Sequence, residues 1–251
     1  MKANESFEFL AKYYDLIYND KDYESEVTFL EKIFEGTTRK KILEIGCGTG
    51  NYTKILIDRG YDVTALDLSE SMLKAAKEKC TCKFIKGNIS DVSINDRFDA
   101  CIAMFAVMGY VTTNSDILKA LKNIHRHLKE NGLFVFDVWN GLAVLRLLPE
   151  LRIKTVENDE VKLLRIANPK LRSFDHICEV NYKLLILNKG DNKFNEIDEK
   201  HVVRFYFPQE IKYLLEATGF KVLKISPFLN LTGKVDEHVW NIAIVAKKVV
   251  D

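Results

Sequence analysis

The sequence predicts an α/β fold, a mostly parallel sheet with helices on both faces and an antiparallel β insertion late in the chain. Three observations carry that expectation. Short apolar runs alternate with amphipathic stretches between Lys41 and Trp139, as successive βαβ units require. Glycines and helix-capping residues punctuate the joins. After Trp139 the pattern changes to long alternating runs, the mark of antiparallel strands with one buried face. The 251 residues contain no repeat, low-complexity tract or Pro/Gly/Ser linker. A single domain with a sizeable core is therefore expected.

The elements follow in order. Lys41–Ile45 reads as a buried strand ended by Gly46, and Asn51–Arg59 as a helix closed by Gly60. Asp62–Leu66 is the next strand, and Ser69 is placed to cap a helix running through Lys79. Cys82–Lys86 and Phe98–Ala103 supply strands three and four. Ile117, Leu121, Ile124 and Leu128 recur at helical spacing within Ser115–Lys129, and Asn131-Gly132 reads as that helix's stop. Leu133–Val138 is a fifth apolar strand. His176–Leu187 and His201–Phe207 alternate across the polar turn 188–192. A helix starts at Pro208 and ends at Gly219, before strands near Phe220–Ile225 and Val239–Ala246.

Composition excludes several classes. With 47% hydrophobic and 29% charged residues, the chain is composed as a globular protein. Its 37 basic against 36 acidic residues leave a net charge of +1, so no chain-wide field recruits nucleic acid or an anionic membrane. The uncharged run beginning at Ala100 falls short of the roughly 20 residues of a membrane span. Met1–Glu5 leads into no apolar signal segment, so a cytoplasmic location is expected. The odd number of cysteines (Cys47, Cys80, Cys82, Cys101, Cys178) includes no C-x-x-C pair, so reduced thiols and no metal site are expected. His125 and His127 are two apart on a helix and cannot chelate one ion.

The informative segment is Leu43-Glu44-Ile45-Gly46-Cys47-Gly48-Thr49-Gly50-Asn51, between the first strand and the first helix of the alternating region. Glycines there permit a tight turn and let a ligand approach the backbone beside a helix N-terminus. A dinucleotide G-x-G-x-x-G turn needs its third glycine at position 51, which is Asn51. That spacing argues against a nicotinamide oxidoreductase.

Glu-x-Gly-x-Gly-x-Gly after a first strand resembles motif I of the class I S-adenosylmethionine-dependent methyltransferases. The run Asp67-Leu68-Ser69-Glu70-Ser71-Met72-Leu73 resembles the D-x-S-x-x-M-L segment of that superfamily. The resemblance implies a Rossmann-like class I methyltransferase fold with a seven-stranded sheet and S-adenosyl-L-methionine as cofactor. It implies contacts from Glu44, Gly46, Cys47, Gly48 and Gly50 in motif I. Asp67 would accept both ribose hydroxyls, with Leu68 and Met72 near the adenine. Asn88 and Ile89 after strand three would follow, Asn88 standing where relatives carry an acid. Met104 and Phe105 would complete the contacts after strand four.

Ala11-Lys12-Tyr13-Tyr14-Asp15-Leu16-Ile17-Tyr18 and Lys21-Asp22-Tyr23 look like the N-terminal segment of bacterial N,N-dimethyltransferases of nucleotide-linked amino sugars. Met104–Tyr110 is similar to their run after strand four. The resemblance implies a helical lid over 1–36, a cofactor core over 37–139, the insertion over 140–207 and a closing helix and strands over 208–251. Tyr14, Tyr18 and Tyr23 would lid the cofactor. Tyr110 and Asp137 become the candidate catalytic residues, and Trp139 a candidate pocket wall. Ala106 and Val107 stand where the subgroup has serines, and Asp137-Val138-Trp139-Asn140 where it has Glu-Pro-Trp-Trp, which leaves the acceptor open. A small-molecule acceptor is expected, with no nucleic acid or membrane partner, in a monomer or homodimer. His176 and His201 could line the acceptor pocket, though neither is individually expected to. A non-catalytic cofactor-binding module is the remaining alternative.

Overall fold

The computed structural model describes residues 10–36 and 40–249. Two helices, α1 (Tyr14–Ile17) and α2 (Tyr23–Phe34), precede strand β1 (Lys41–Ile45). Then come α3 (Asn51–Asp58), β2 (Asp62–Asp67), α4 (Glu70–Lys79), β3 (Lys83–Lys86) and β4 (Phe98–Ala103). A 3-10 turn over Val107–Tyr110 leads to α5 (Asn114–His127) and β5 (Leu128–Trp139). Helix α6 (Gly141–Leu147) opens the insertion of β6 (Arg152–Glu157), β7 (Val161–Arg172), β8 (Ile177–Asn188) and β9 (Phe194–Arg204). The chain closes with α7 (Pro208–Glu216), β10 (Phe220–Pro227) and β11 (Asn241–Lys248).

The main sheet has seven strands in the order β10-β11-β5-β4-β1-β2-β3. β1 to β5 pair in parallel, while β11 runs antiparallel to both β5 and β10. Its strands read as continuous apolar runs because helices cover both faces. Alternation along each strand divides the core. Leu43, Cys101 and Phe134 pack towards α5 and α7, whereas Ile42, Ile102 and Val135 pack towards α2 and α3. Strand order reverses between β1 and its two neighbours β2 and β4. A doubly wound sheet opens a crevice at such a switch point. Among the described residues no helix is long and apolar enough to cross a membrane.

Three local expectations change. The helix predicted to reach Lys129 ends at His127: Leu128 adopts φ −82, ψ 143 and pairs with Phe98. Asn131, at φ 59, is therefore a left-handed corner within β5 instead of a helix stop. β6 and β7 had no legible strand signal, and β7 carries Pro169. The proline is tolerated because β6 pairs no further along β7 than Ala167, leaving that stretch with β8 alone. Finally, β9 starts at Phe194, well before His201, through a polar segment whose even-numbered face is mostly solvated.

The N-terminal segment fastens the insertion to the main sheet. Leu10 and Ile17 pack with Leu163, Leu184 and Ile186 of the insertion. On the other side the Asp15 carboxylate accepts from Thr49 Oγ1 at 2.7 Å and from Asn51 Nδ2 at 3.0 Å, and pairs with Lys79 Nζ at 2.6 Å. These three partners hold its carboxyl below the usual value despite partial burial. Asp15→Ala should raise hydrogen exchange at the amides of Ile17 and Tyr18 about tenfold, a charge-assisted cluster discounted for exposure. Core strand protection should not change. Unchanged exchange at those two amides would show that Asp15 does not fasten the segment.

Candidate active site

A cavity of about 600 Å³ opens at the C-terminal ends of β1 to β4. One wall is the turn after β1. The amides of Gly46 and Cys47 donate to Leu66 O at 2.7 and 3.0 Å, so the turn is laid on the end of β2. Gly46 has φ 68, and a Cβ there would lie 2.6 Å from Val107 Cγ2. Gly48 has φ 53, and a Cβ there would meet nothing within 4 Å. The first glycine is thus required by packing. The second bares its backbone to the cavity, as a ligand cradle does.

Asp67 ends β2 and lines the cavity. Its Oδ2 accepts from Gly48 N at 2.8 Å and its Oδ1 from Ser69 N at 2.8 Å. Desolvation raises its carboxyl above the ordinary value against those hydrogen bonds. Ser69 Oγ in turn accepts from Met72 N and caps α4, so Met72 is delivered to the cavity wall.

Cys47, Leu68, Asn88, Ile89, Met104 and Phe105 also line the cavity, as do Tyr14, Tyr18 and Tyr23 from the N-terminal segment. Asn88 Oδ1 accepts from Ser90 N at 2.9 Å, so its carbonyl already closes a local turn. Two motif residues stand elsewhere. Gly50 is the cap of α3, where a Cβ would sit 2.9 Å from Ala76 Cβ; its place is α3–α4 packing. Glu44 points away from the cavity, 2% exposed and accepting from Thr53 Oγ1. Burial pushes its carboxyl up to about 8.

The opposite half is aromatic. Tyr110, Trp139, Tyr182 and Phe105 line it, with Tyr18 set edge-on to Phe105 at 5.2 Å. Phe105 and Ala106 both take left-handed φ values, 67 and 56. Two consecutive non-glycine residues there are strained by roughly 1–2 kcal/mol each. Asp137 holds the turn, its Oδ2 accepting from Ala106 N at 3.0 Å. Its Oδ1 is buried without a partner. Burial, opposed by that hydrogen bond, pushes the carboxyl up to about 7. Asn241 Oδ1 and Tyr23 Oη are likewise buried polar atoms without hydrogen-bond partners.

Sequence reasoning missed several residues here. Asp15 lay within the N-terminal run already singled out, but nothing local announced its reach to Thr49. Lys21 Nζ lies 4.5 Å from the Phe105 ring centroid and bonds Glu26, which also binds Tyr52 Oη. His201, individually discounted from sequence, does line the cavity. His176 does not; it stacks on Phe205 at 5.4 Å beside Glu210.

Comparison with known proteins accords with this architecture. A family model described as a methyltransferase domain matches residues 42–132, which hold the glycine turn, Asp67 and Phe105 but neither Asp137 nor the insertion. A protein of Geobacillus sp. (strain WCH70) named as a methyltransferase is 30% identical over 231 residues, 88% of this chain and 91% of the relative. The dTDP-3-amino-3,4,6-trideoxy-α-D-glucopyranose N,N-dimethyltransferase of Streptomyces venezuelae is 24% identical over 223 residues, 84% of this chain and 90% of its own. Among solved structures, an S-adenosylmethionine-dependent methyltransferase from Clostridium acetobutylicum ATCC 824 shares the fold with a TM-score of 0.80. It is 23% identical, and the match covers 96% of this chain and 98% of that one.

Glu44 sets a pH dependence. Its carboxyl titrates at about 8 when folded against an ordinary 4.5, so the folded state holds the proton longer than the unfolded chain. Stability from this group is full below 4.5 and falls as pH rises from 4.5 to about 8. Asp137 adds a loss of the same sign between 3.8 and about 7. The denaturation midpoint of ligand-free protein should therefore drop between about pH 5 and about pH 8, and Glu44→Gln should flatten the drop. An equal drop in that variant would remove Glu44 from the account.

Proposed function

Because the chain belongs to the class I S-adenosylmethionine-dependent methyltransferases, we propose that it methylates the amino nitrogen of a small acceptor, an amino sugar being the favoured class. The observation that carries the choice of an amine is Asp137, a buried carboxyl at the cavity wall with one unpartnered oxygen. An amine or ammonium supplies the donor that oxygen lacks and, unlike a hydroxyl, can meet the carboxylate with a positive charge. The aromatic faces of Phe105, Tyr110 and Trp139 also suit a cationic group. The amino-sugar enzyme of Streptomyces venezuelae, similar along most of the chain, supports the narrower class.

The cavity fits the cofactor. Gly48 opens its backbone into it, Asp67 stands at the end of β2, and unpartnered Asn241 Oδ1 and Tyr23 Oη offer polar contacts. When bound, S-adenosylmethionine supplies a methyl group on a cationic sulfur, and alignment with the nucleophile is most of the catalysis. Asp67 would hold the ribose hydroxyls, since a carboxylate that accepts two amides keeps acceptor capacity. Tyr14, Tyr18 and Tyr23 would exclude water above the reacting atoms. Asp137 would orient the acceptor nitrogen, with Tyr110 facing the same space.

Calorimetry with S-adenosylhomocysteine tests the cofactor half. Gly48→Val should abolish binding by filling the cradle, and Asp67→Ala should weaken it about 10- to 100-fold. Unchanged affinity in both variants would sink the assignment. The acceptor half is tested with dTDP-3-amino-3,4,6-trideoxy-α-D-glucopyranose against its 3-hydroxy counterpart, read as S-adenosylhomocysteine formed. Turnover of the amine is expected. Asp137→Asn keeps an acceptor for Ala106 N and should lower kcat about 10²-fold. Turnover of the hydroxyl compound alone would reject the amine.

A further inference from the structure

The acceptor half of the cavity contains a hydrogen-bonded chain that neither the motifs nor Asp137 account for. Tyr110 Oη lies 2.9 Å from His201 Nδ1, and His201 Nε2 lies 3.1 Å from Glu199 Oε2. Tyr110 and His201 line the cavity, while Glu199 stands behind them. Both members of the pair on β9 are buried, Glu199 at 5% and His201 at 3% exposure. Their i, i+2 spacing puts both side chains on the inward face of the strand. The other Glu199 oxygen, Oε1, accepts from Leu10 N at 2.9 Å.

The partners dictate the tautomer. An ionised Glu199 only accepts, so neutral His201 carries its proton on Nε2 and leaves Nδ1 as the acceptor for the Tyr110 hydroxyl. The order is the one a proton acceptor needs: a hydroxyl at the cavity, an imidazole behind it and a buried carboxylate fixing the imidazole. A buried His–Glu pair set beside a cavity-lining tyrosine is an expensive arrangement for plain packing.

We infer that His201 takes the proton shed by the acceptor nitrogen, with Tyr110 as the conduit and Glu199 as the positioning residue. The inference rests on the methyl-transfer reading and adds the destination of the proton. As the nitrogen bonds the methyl carbon, the carbon–sulfur bond breaks and its electron pair stays on sulfur. The nitrogen, now cationic, gives one N–H proton to Tyr110 Oη, whose own proton passes to His201 Nδ1. The products are the neutral methylated amine and an imidazolium facing the Glu199 carboxylate, and solvent takes the proton when the cavity opens. Since Leu10 N fixes Glu199 Oε1, the N-terminal segment must be seated for the chain to be aligned. Among the described residues, titratable groups facing His201 include Glu199 on its own strand, Tyr182 from β8 with its ring 4.8 Å away, and Tyr110. Arg165 stands behind Tyr182, its guanidinium 5.6 Å from that ring.

Two measurements on the full chain test this. The first needs no acceptor. In ¹⁵N-histidine-labelled protein bound to S-adenosylhomocysteine, with His201→Gln assigning the signal, His201 should show the Nε2–H tautomer at neutral pH. Glu199→Gln should mix the two tautomers. A His201 protonated on Nδ1 in the neutral ring overturns the inference. The second uses S-adenosylmethionine and dTDP-3-amino-3,4,6-trideoxy-α-D-glucopyranose. His201→Gln should lower kcat about 10²-fold, with S-adenosylhomocysteine affinity preserved. Glu199→Gln should lower kcat less. An unchanged kcat in His201→Gln also overturns the inference. If wild-type protein leaves this amine unmethylated, the amino-sugar reading fails and the tautomer measurement alone decides for or against His201.

Discussion

The hydrogen bond from Gly48 N to Asp67 Oδ2 joins the ends of β1 and β2, and the site is organised from that join. It can form only because the turn after β1 runs through left-handed glycines, which fold the chain back over β2 without a Cβ in the way. Asp67 then spends its second oxygen on Ser69 N, which starts α4 and sets Met72. Thr49 and Asn51, carried by the same turn, present the groups that Asp15 grips. One backbone conformation therefore sets the cavity floor, the helix beside it and the anchorage of the segment above it.

The electrostatics of the cavity follow from burial. Asp67 and Asp137 are both pushed upward by desolvation, Asp137 to about 7, as is Glu44 outside the cavity, to about 8. Each makes the ligand-free protein less stable at neutral pH than an apolar residue would. Such groups suit a site that receives positive charge. On the proposed reading both the sulfonium and the amine arrive as cations or develop as such, and each provides a counter-charge for Asp67 and Asp137. The strained Phe105–Ala106 turn fits the same account, because the oxygen that holds it belongs to Asp137.

Much of the fold was legible from sequence. Strands buried on both faces announce themselves as apolar runs, and β1 to β5 fell within a few residues of their observed places, as did the Ser69 cap. The errors have physical causes. Leu128 continues the helical spacing of α5, but pairing with Phe98 overrides local preference and turns it into the strand. β6 and β7 are poorly patterned because much of this sheet is solvated and its order comes from cross-strand pairing. At the site, glycines and Asp67 were legible because backbone conformation and strand ends constrain residue type. The Glu199–His201 pair was not, because its meaning depends on Tyr110, 91 residues away from His201.

That difference separates the two halves of the cavity. The segment matched by the methyltransferase-domain model, residues 42–132, contains the glycine turn and Asp67, where backbone geometry leaves few alternatives. The acceptor half draws instead on the N-terminal segment, the end of β5, and β8 and β9, joined by contacts such as Leu10 to Glu199 and Arg165 to Tyr18. Side chains on a pleated surface can change without moving the strand that carries them. On the proposed reading, a protein built this way can keep its cofactor chemistry while β8 and β9 alter what is methylated. Because the N-terminal segment touches both halves through Asp15 and Leu10, its seating can link cofactor closure to alignment of the acceptor-side chain.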